Sequence, residues 1–232
     1  MLYSHTTGTG PDLVLLHGWG FNAELFNNLI DQYQDQYRIT KIDLPGHGRS
    51  DEVAGGINEW SNEIIKILPN NPILLGWSLG GLLAINIATK IKLSKLILVA
   101  STPNFVQNSD WQYGIDADNF QQFSNTLKQN LSKGLKRFVS LQTQDKTQLK
   151  ALNQSIDQFP ASTTALNQGL DILLTTDLIE PFLQLNIDIQ IYLGIRDTLI
   201  PSKISNWYDH NNINSTLLDT GHIPFIDSSF EL

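Results

Sequence analysis

Along residues 13–101, short apolar runs alternate with longer segments whose apolar residues recur every three or four positions. The runs at 13–16, 37–42, 73–75 and 95–100 read as strands buried on both faces. The intervening segments, 22–36, 58–68 and 79–90, are long enough for crossover helices, and alternation of this kind predicts a parallel sheet. Segment 79–90 is apolar almost all round, so its helix should be central and buried. From residue 103 to about 185 the strand pattern stops. Polar, Gln- and Asn-rich helical sequence replaces it, notably at 119–141 and 148–159, and predicts an inserted helical cap. The strand pattern resumes at 187–193, with a turn at 194–198, a helix beginning near Pro201 and a last strand at 215–218. The expected architecture is one α/β domain over 1–232 carrying a cap at about 103–185.

Composition narrows the chemistry. A chain of 232 residues with no apolar run of 18 can bury one core and contains no helical membrane span. Residues 1–10 lack the charged-then-apolar plan of a secretion signal, so a cytoplasmic location is expected. The absence of cysteine excludes disulfides, thiolate metal sites and a cysteine nucleophile. The net charge of −8 argues against general nucleic-acid binding. No histidine stands at metal-ligand spacing from a second histidine or carboxylate, so no metal, no cofactor and a monomeric protein are expected.

One motif carries a mechanism. Gly76-Trp77-Ser78-Leu79-Gly80 is a G-x-S-x-G sequence between an apolar strand and an apolar helix, the context of a nucleophile elbow. The turn is too sharp for neighbouring Cβ atoms, hence glycine at 76 and 80, and it lifts the Ser78 hydroxyl above the sheet. This predicts the α/β-hydrolase fold, a mostly parallel central sheet flanked by helices, with Ser78 as nucleophile. A Gly-rich turn with an incidental serine is the plainer alternative.

An oxyanion needs two donors. The backbone N–H of Leu79 supplies one, and the loop His17-Gly18-Trp19-Gly20 after the first buried strand supplies the other from Trp19, whose indole should wall the substrate site. His17 reads as a brace for that loop. The partners of such a serine follow in the order acid, then histidine. Asp197 sits directly after an apolar strand, where a loop can aim its carboxylate, whereas Asp177 and Asp188 precede that strand and Asp219 lies too close to the histidine. His222, downstream and on a loop after a strand, is the expected base. His47, in the turn-rich loop 43–50, reads as structural, and His5 and His210 have no supporting context.

These residues resemble a known family. Leu15-Leu16-His17-Gly18-Trp19-Gly20, Leu44-Pro45-Gly46-His47-Gly48-Arg49-Ser50 and Gly76-Trp77-Ser78-Leu79-Gly80-Gly81 are shared widely among hydrolases, but the cap segments 110–115, 137–143 and 169–173 are more discriminating. Together they look like the pimeloyl-acyl-carrier-protein methyl ester esterases of biotin synthesis, the BioH type, over nearly the whole chain. The resemblance implies a serine carboxylesterase that removes the methyl ester from pimeloyl-acyl-carrier protein. It implies a substrate channel formed by Trp19, Ser78, Leu79, Phe138, Val139, Ser140, Leu141, Gln142 and His222. On their own, Phe138 and Leu141 share one helical face and suit either a channel or simple packing.

Charge supports a carrier. Lys128, Lys133, Lys136, Arg137, Lys146 and Lys150 lie within a segment holding one acid, Asp145. Six cations against one acid leave a surplus of +5 in a chain of net −8. A solvated basic face is the ordinary reading of such a cluster. An acidic carrier protein would instead dock there by steering, at Lys133, Lys136, Arg137 and Lys150. Between residues 142 and 150 the cap is shorter than the family's, and Leu232 follows His222 by ten residues, so either the last helix is short or the sequence is trimmed. Fold and triad leave open another ester, thioester or lactone hydrolase, or a carbon–carbon lyase. A binding protein without catalysis would not need three triad members in order.

Overall fold

The computed structural model describes the chain except for residues 130, 141 and 143–145, and leaves out the side chains of 128, 129 and 131–133. The described strands are β1 Ser4–Thr7, β2 Asp12–Leu16, β3 Arg38–Ile42, β4 Ile73–Trp77, β5 Lys95–Val99, β6 Ile189–Gly194 and β7 Asn214–Leu218. They form one sheet in the order β1-β3-β2-β4-β5-β6-β7, parallel throughout except for β1, which runs antiparallel to β3. The four central strands present Val14, Leu15, Leu16, Ile39, Ile42, Leu74, Leu75, Leu96 and Leu98 with almost no exposed surface. Each such side chain contributes roughly 1.5–3 kcal/mol by leaving water. Edge strand β1 is polar and has no apolar signature; it is held by backbone pairing and by the Thr6–Thr40 hydroxyl contact at 2.8 Å.

Helices α1 Asn27–Tyr33, α2 Ile57–Ile65 and α3 Leu79–Ala88 connect the first strands. Helix α3 is buried from Leu79 through Ile87, which its uniformly apolar sequence requires. Segment 22–36 divides into a 3-10 turn, Ala23–Phe26, and the shorter α1, because Asn22 caps the turn by accepting the Glu24 N–H. Between β5 and β6 come α4 Ala117–Gln129, α5 Leu131–Ser140, α6 Lys146–Gln158, α7 Thr163–Thr175 and α8 Ile179–Leu183. The helix expected near Pro201 is a 3-10 turn, Ser202–Ile204, running into α9 Ser205–His210.

The helices after β5 are anchored to the sheet's carboxyl ends. The Trp19 indole N–H donates to the Leu166 carbonyl of α7 at 2.7 Å, and Asn22 donates to the Ser155 and Phe159 carbonyls at 2.9 and 3.1 Å. After His222 the chain makes a 3-10 turn, Pro224–Ile226, and buries Phe230 against Tyr192 at 4.6 Å between ring centroids.

Candidate active site

Ser78 stands between β4 and α3 with φ 55° and ψ −120°, a conformation side-chain-bearing residues rarely hold. The turn is locked by close backbone packing. A Cβ on Gly76 would lie 2.4 Å from the Gly80 carbonyl oxygen, and one on Gly80 would lie 2.3 Å from that of Leu16. The Ser78 N–H donates to Val99 O at 3.0 Å, and the Ser101 hydroxyl donates to Ser78 O at 2.8 Å.

The loops after β6 and β7 bring the acid and the histidine to this turn. His222 Nδ1 lies 2.7 Å from Asp197 Oδ2, and its Nε2 lies 3.0 Å from Ser78 Oγ. A carboxylate only accepts, so the ring carries its proton on Nδ1 and offers the Nε2 lone pair to the serine hydroxyl. Asp197 Oδ1 accepts the Leu199 and Ile200 N–H groups at 2.8 and 3.1 Å, which fixes the carboxylate in a fully buried position. The other acids are engaged elsewhere: Asp219 with Arg196, Asp188 with Lys95, and Asp177 with Asn104. This chain of groups can move a proton from Ser78 to His222 while Asp197 steadies the imidazolium.

Among the described residues, the backbone N–H groups of Trp19 and Leu79 have no protein acceptor. Two histidines hold the Trp19 loop. His17 Nδ1 donates to Gly18 O at 2.8 Å while its Nε2 accepts the Leu44 N–H at 2.9 Å. His47 Nδ1 donates to Pro45 O at 2.9 Å while its Nε2 accepts the Gly20 N–H at 3.2 Å. Both rings are completely buried and satisfied only when neutral. Burial pushes His17 down to about 4 against the opposing pull of Asp43. It pushes His47 down to about 3, helped by His17 at a centroid distance of 5.4 Å.

An apolar cavity of about 170 Å³ opens above Ser78. Trp19, Phe105, Phe120, Phe123 and Phe138 supply its aromatic lining and Ile115, Leu170, Leu173 and Leu199 its aliphatic lining, with exposed Asn119 also present. Phe138 faces inward and meets the Trp19 ring edge-on at 5.1 Å. Its neighbours in sequence do not follow it. Val139 is fully buried but outside the lining, Ser140 is exposed with its hydroxyl on Arg137 O, and Gln142 is buried with its amide on Phe138 O at 2.9 Å. The run 138–142 expected to line a channel therefore contributes Phe138, and Leu141 lies outside the described residues. The phenylalanines of α4 and the leucines of α7 are not among the residues expected from sequence to line the channel, although segment 169–173 belongs to the family resemblance and the three-residue spacing marks each pair as an apolar helix face.

A larger open groove of about 490 Å³ runs between α2 and α7, but it is lined by Glu59, Asp171 and Asp177 and by none of Ser78, Asp197 or His222. Among the described residues no three His, Asp or Glu side chains gather as a metal site would require. Lys136, Arg137 and Lys150 are exposed on α5 and α6; the side chain of Lys133 lies outside those described.

Comparison with known proteins identifies the family. The family model for the alpha/beta hydrolase fold matches residues 11–229. A pimeloyl-[acyl-carrier protein] methyl ester esterase from Pseudoalteromonas atlantica is 36% identical, covering 97% of this chain and 92% of its own. The enzyme of that name from Pectobacterium carotovorum is 38% identical with the same coverage. The chain belongs to the pimeloyl-[acyl-carrier protein] methyl ester esterase family of α/β hydrolases. In structure this family member resembles an esterase from Exiguobacterium antarcticum, with a TM-score of 0.87 at 26% identity over 97% of this chain and 90% of the other.

Proposed function

We propose that the chain hydrolyses the methyl ester of a pimeloyl-acyl-carrier protein, releasing methanol and the carrier-bound acid. The observation that carries this reading is the Ser78–His222–Asp197 chain, at 3.0 and 2.7 Å, beside an apolar cavity in a member of this esterase family. His222 Nε2 takes the Ser78 proton as Oγ attacks the ester carbonyl. The Trp19 and Leu79 N–H groups receive the oxyanion, and His222 returns the proton to the departing methoxide, so methanol leaves. Water then attacks the acyl-serine with the same assistance. Asp197 keeps the imidazole in the tautomer this sequence needs.

An alkyl chain suits a cavity walled by aromatic and aliphatic side chains. The acidic carrier would meet Lys136, Arg137 and Lys150, with Lys133, on α5 and α6, and a monomer in the cytoplasm would suffice. No described helix is long and apolar enough to cross a membrane. The test is methanol release from pimeloyl-carrier-protein methyl ester, measured beside release from a small free methyl ester and a thioester. Preferred turnover of the carrier-bound ester, lost in Ser78→Ala, is expected. Preference for the thioester, or turnover that survives in Ser78→Ala, would overturn the reading.

A further inference from the structure

The three reacting side chains come from loops far apart in sequence, so something besides their mutual hydrogen bonds must set their register. Trp77, the residue before Ser78, occupies that place. Its indole is fully buried, and its N–H donates to the backbone carbonyl of His222 at 2.6 Å across 145 residues of chain. Among the described residues this indole is the sole hydrogen-bond donor to the His222 carbonyl. The nucleophile and the base are therefore joined twice, through Ser78 Oγ to His222 Nε2 at 3.0 Å and through Trp77 Nε1 to His222 O.

The same ring reaches the third part of the site. A Cβ on Gly18 would lie 2.8 Å from Trp77 Cζ3 and 3.1 Å from Ser78 Cβ, so the loop bearing the Trp19 amide lies directly against the indole. Phe21, on that loop, meets Trp77 edge-on at 5.0 Å, and Phe225, just past the histidine, does so at 5.8 Å. A bulky residue at the first variable position of the G-x-S-x-G turn reads from sequence as ordinary core. Its contacts here are instead with the elbow, the base loop and the oxyanion loop.

We propose that Trp77 is a positioning residue, whose indole N–H holds the His222 backbone so that the imidazole stays aligned between Ser78 and Asp197 while its ring fixes the oxyanion loop. Packing alone would need the ring; alignment needs the N–H. The inference rests on the proposed esterase reading for its kinetic arm only.

The decisive variant is site-specific replacement of Trp77 by benzothienylalanine, which keeps the fused ring and lacks the N–H; Trp77→Phe is the second. Turnover of a small p-nitrophenyl ester is expected to fall about tenfold in kcat at unchanged KM, the equivalent of one neutral hydrogen bond. In parallel, the far-downfield proton resonance of His222 Nδ1–H should shift or broaden, because the imidazole loses its fixed angle to Asp197. Unchanged kcat together with an unchanged resonance in a variant that melts normally overturns the proposal. So does a rise in KM at constant kcat, which would make the indole a cavity wall. If the unaltered protein hydrolyses no ester, the esterase reading fails, and the resonance still decides the role of the indole.

Discussion

Acidification should loosen this protein through two histidines remote from proton transfer. His17 and His47 are buried neutral, held at about 4 and about 3, below the ordinary value of 6.5. On lowering the pH the unfolded chain binds their protons first, so the stability they confer is whole above pH 6.5. It drains as pH falls from 6.5 toward 4 for His17 and toward 3 for His47. Within that window each group costs about 1.4 kcal/mol per pH unit, so moving from pH 7 to pH 5 should remove roughly 4 kcal/mol from the two together. That is a large share of a typical total of about 5–15 kcal/mol. Glu24 titrates below this window. Burial pushes Glu24 up, yet hydrogen bonds from Asn27, Arg49 and Lys41 outweigh it and hold the group at about 2, so its contribution changes only below about 4.5. The assay is urea denaturation at intervals between pH 5 and 7.5, on wild type and His47→Gln. The Gln Oε1 can accept the Gly20 N–H where His47 Nε2 does so at 3.2 Å, without titrating. The variant should lose about half of the pH slope. A wild-type stability flat from pH 7 to 5, or a His47→Gln slope equal to wild type, would refute the reasoning.

Three further outcomes are expected. Asp197→Asn should lower kcat by ~10³-fold or more, whereas Asp219→Asn, altering an exposed partner of Arg196, should remain within about twofold; steady-state kinetics of the two variants decide between the carboxylates. Phe138→Ala should both destabilise by about 3 kcal/mol and raise KM, because the ring is buried and lines the cavity, while Val139→Ala should destabilise by about 1–2 kcal/mol at unchanged KM; a KM effect from Val139 would contradict the lining. Charge reversal of Lys136, Arg137 and Lys150 to Glu should slow the carrier-bound ester and flatten its salt dependence, leaving a free ester unaffected; equal loss on both would point to damage in the helices themselves.

What could be read from sequence follows how local each signal is. Strands β2, β4 and β5 declare themselves because burial on both faces makes nearly every interior position apolar, whereas β3 also buries Thr40 and Lys41, the latter paired with Asn27 and Glu24. Edge strand β1 does not declare itself, since Ser-His-Thr-Thr is polar and its pairing with β3 is decided by backbone hydrogen bonds. Ser78, Asp197 and His222 were placed by a short motif and by the order of strand-end loops, and the structure brings those three side chains within hydrogen-bond reach.

The cavity was harder for a geometric reason. A helix turns about 100° per residue, so a contiguous run such as 138–142 cannot all face one space. Phe138 looks into the cavity, Val139 into the core and Ser140 into solvent. Lining residues recur instead at helical spacing on separate helices, Phe120 and Phe123 on α4 and Leu170 and Leu173 on α7. From sequence alone such faces are indistinguishable from ordinary core, because the same apolar stripe serves either purpose until the opposite wall is known. The Trp77 contact is the limiting case. Nothing within the G-x-S-x-G turn indicates that the indole N–H will find a carbonyl 145 residues away, because that pairing exists only once β4 and the loop after β7 are brought together by the strands between them.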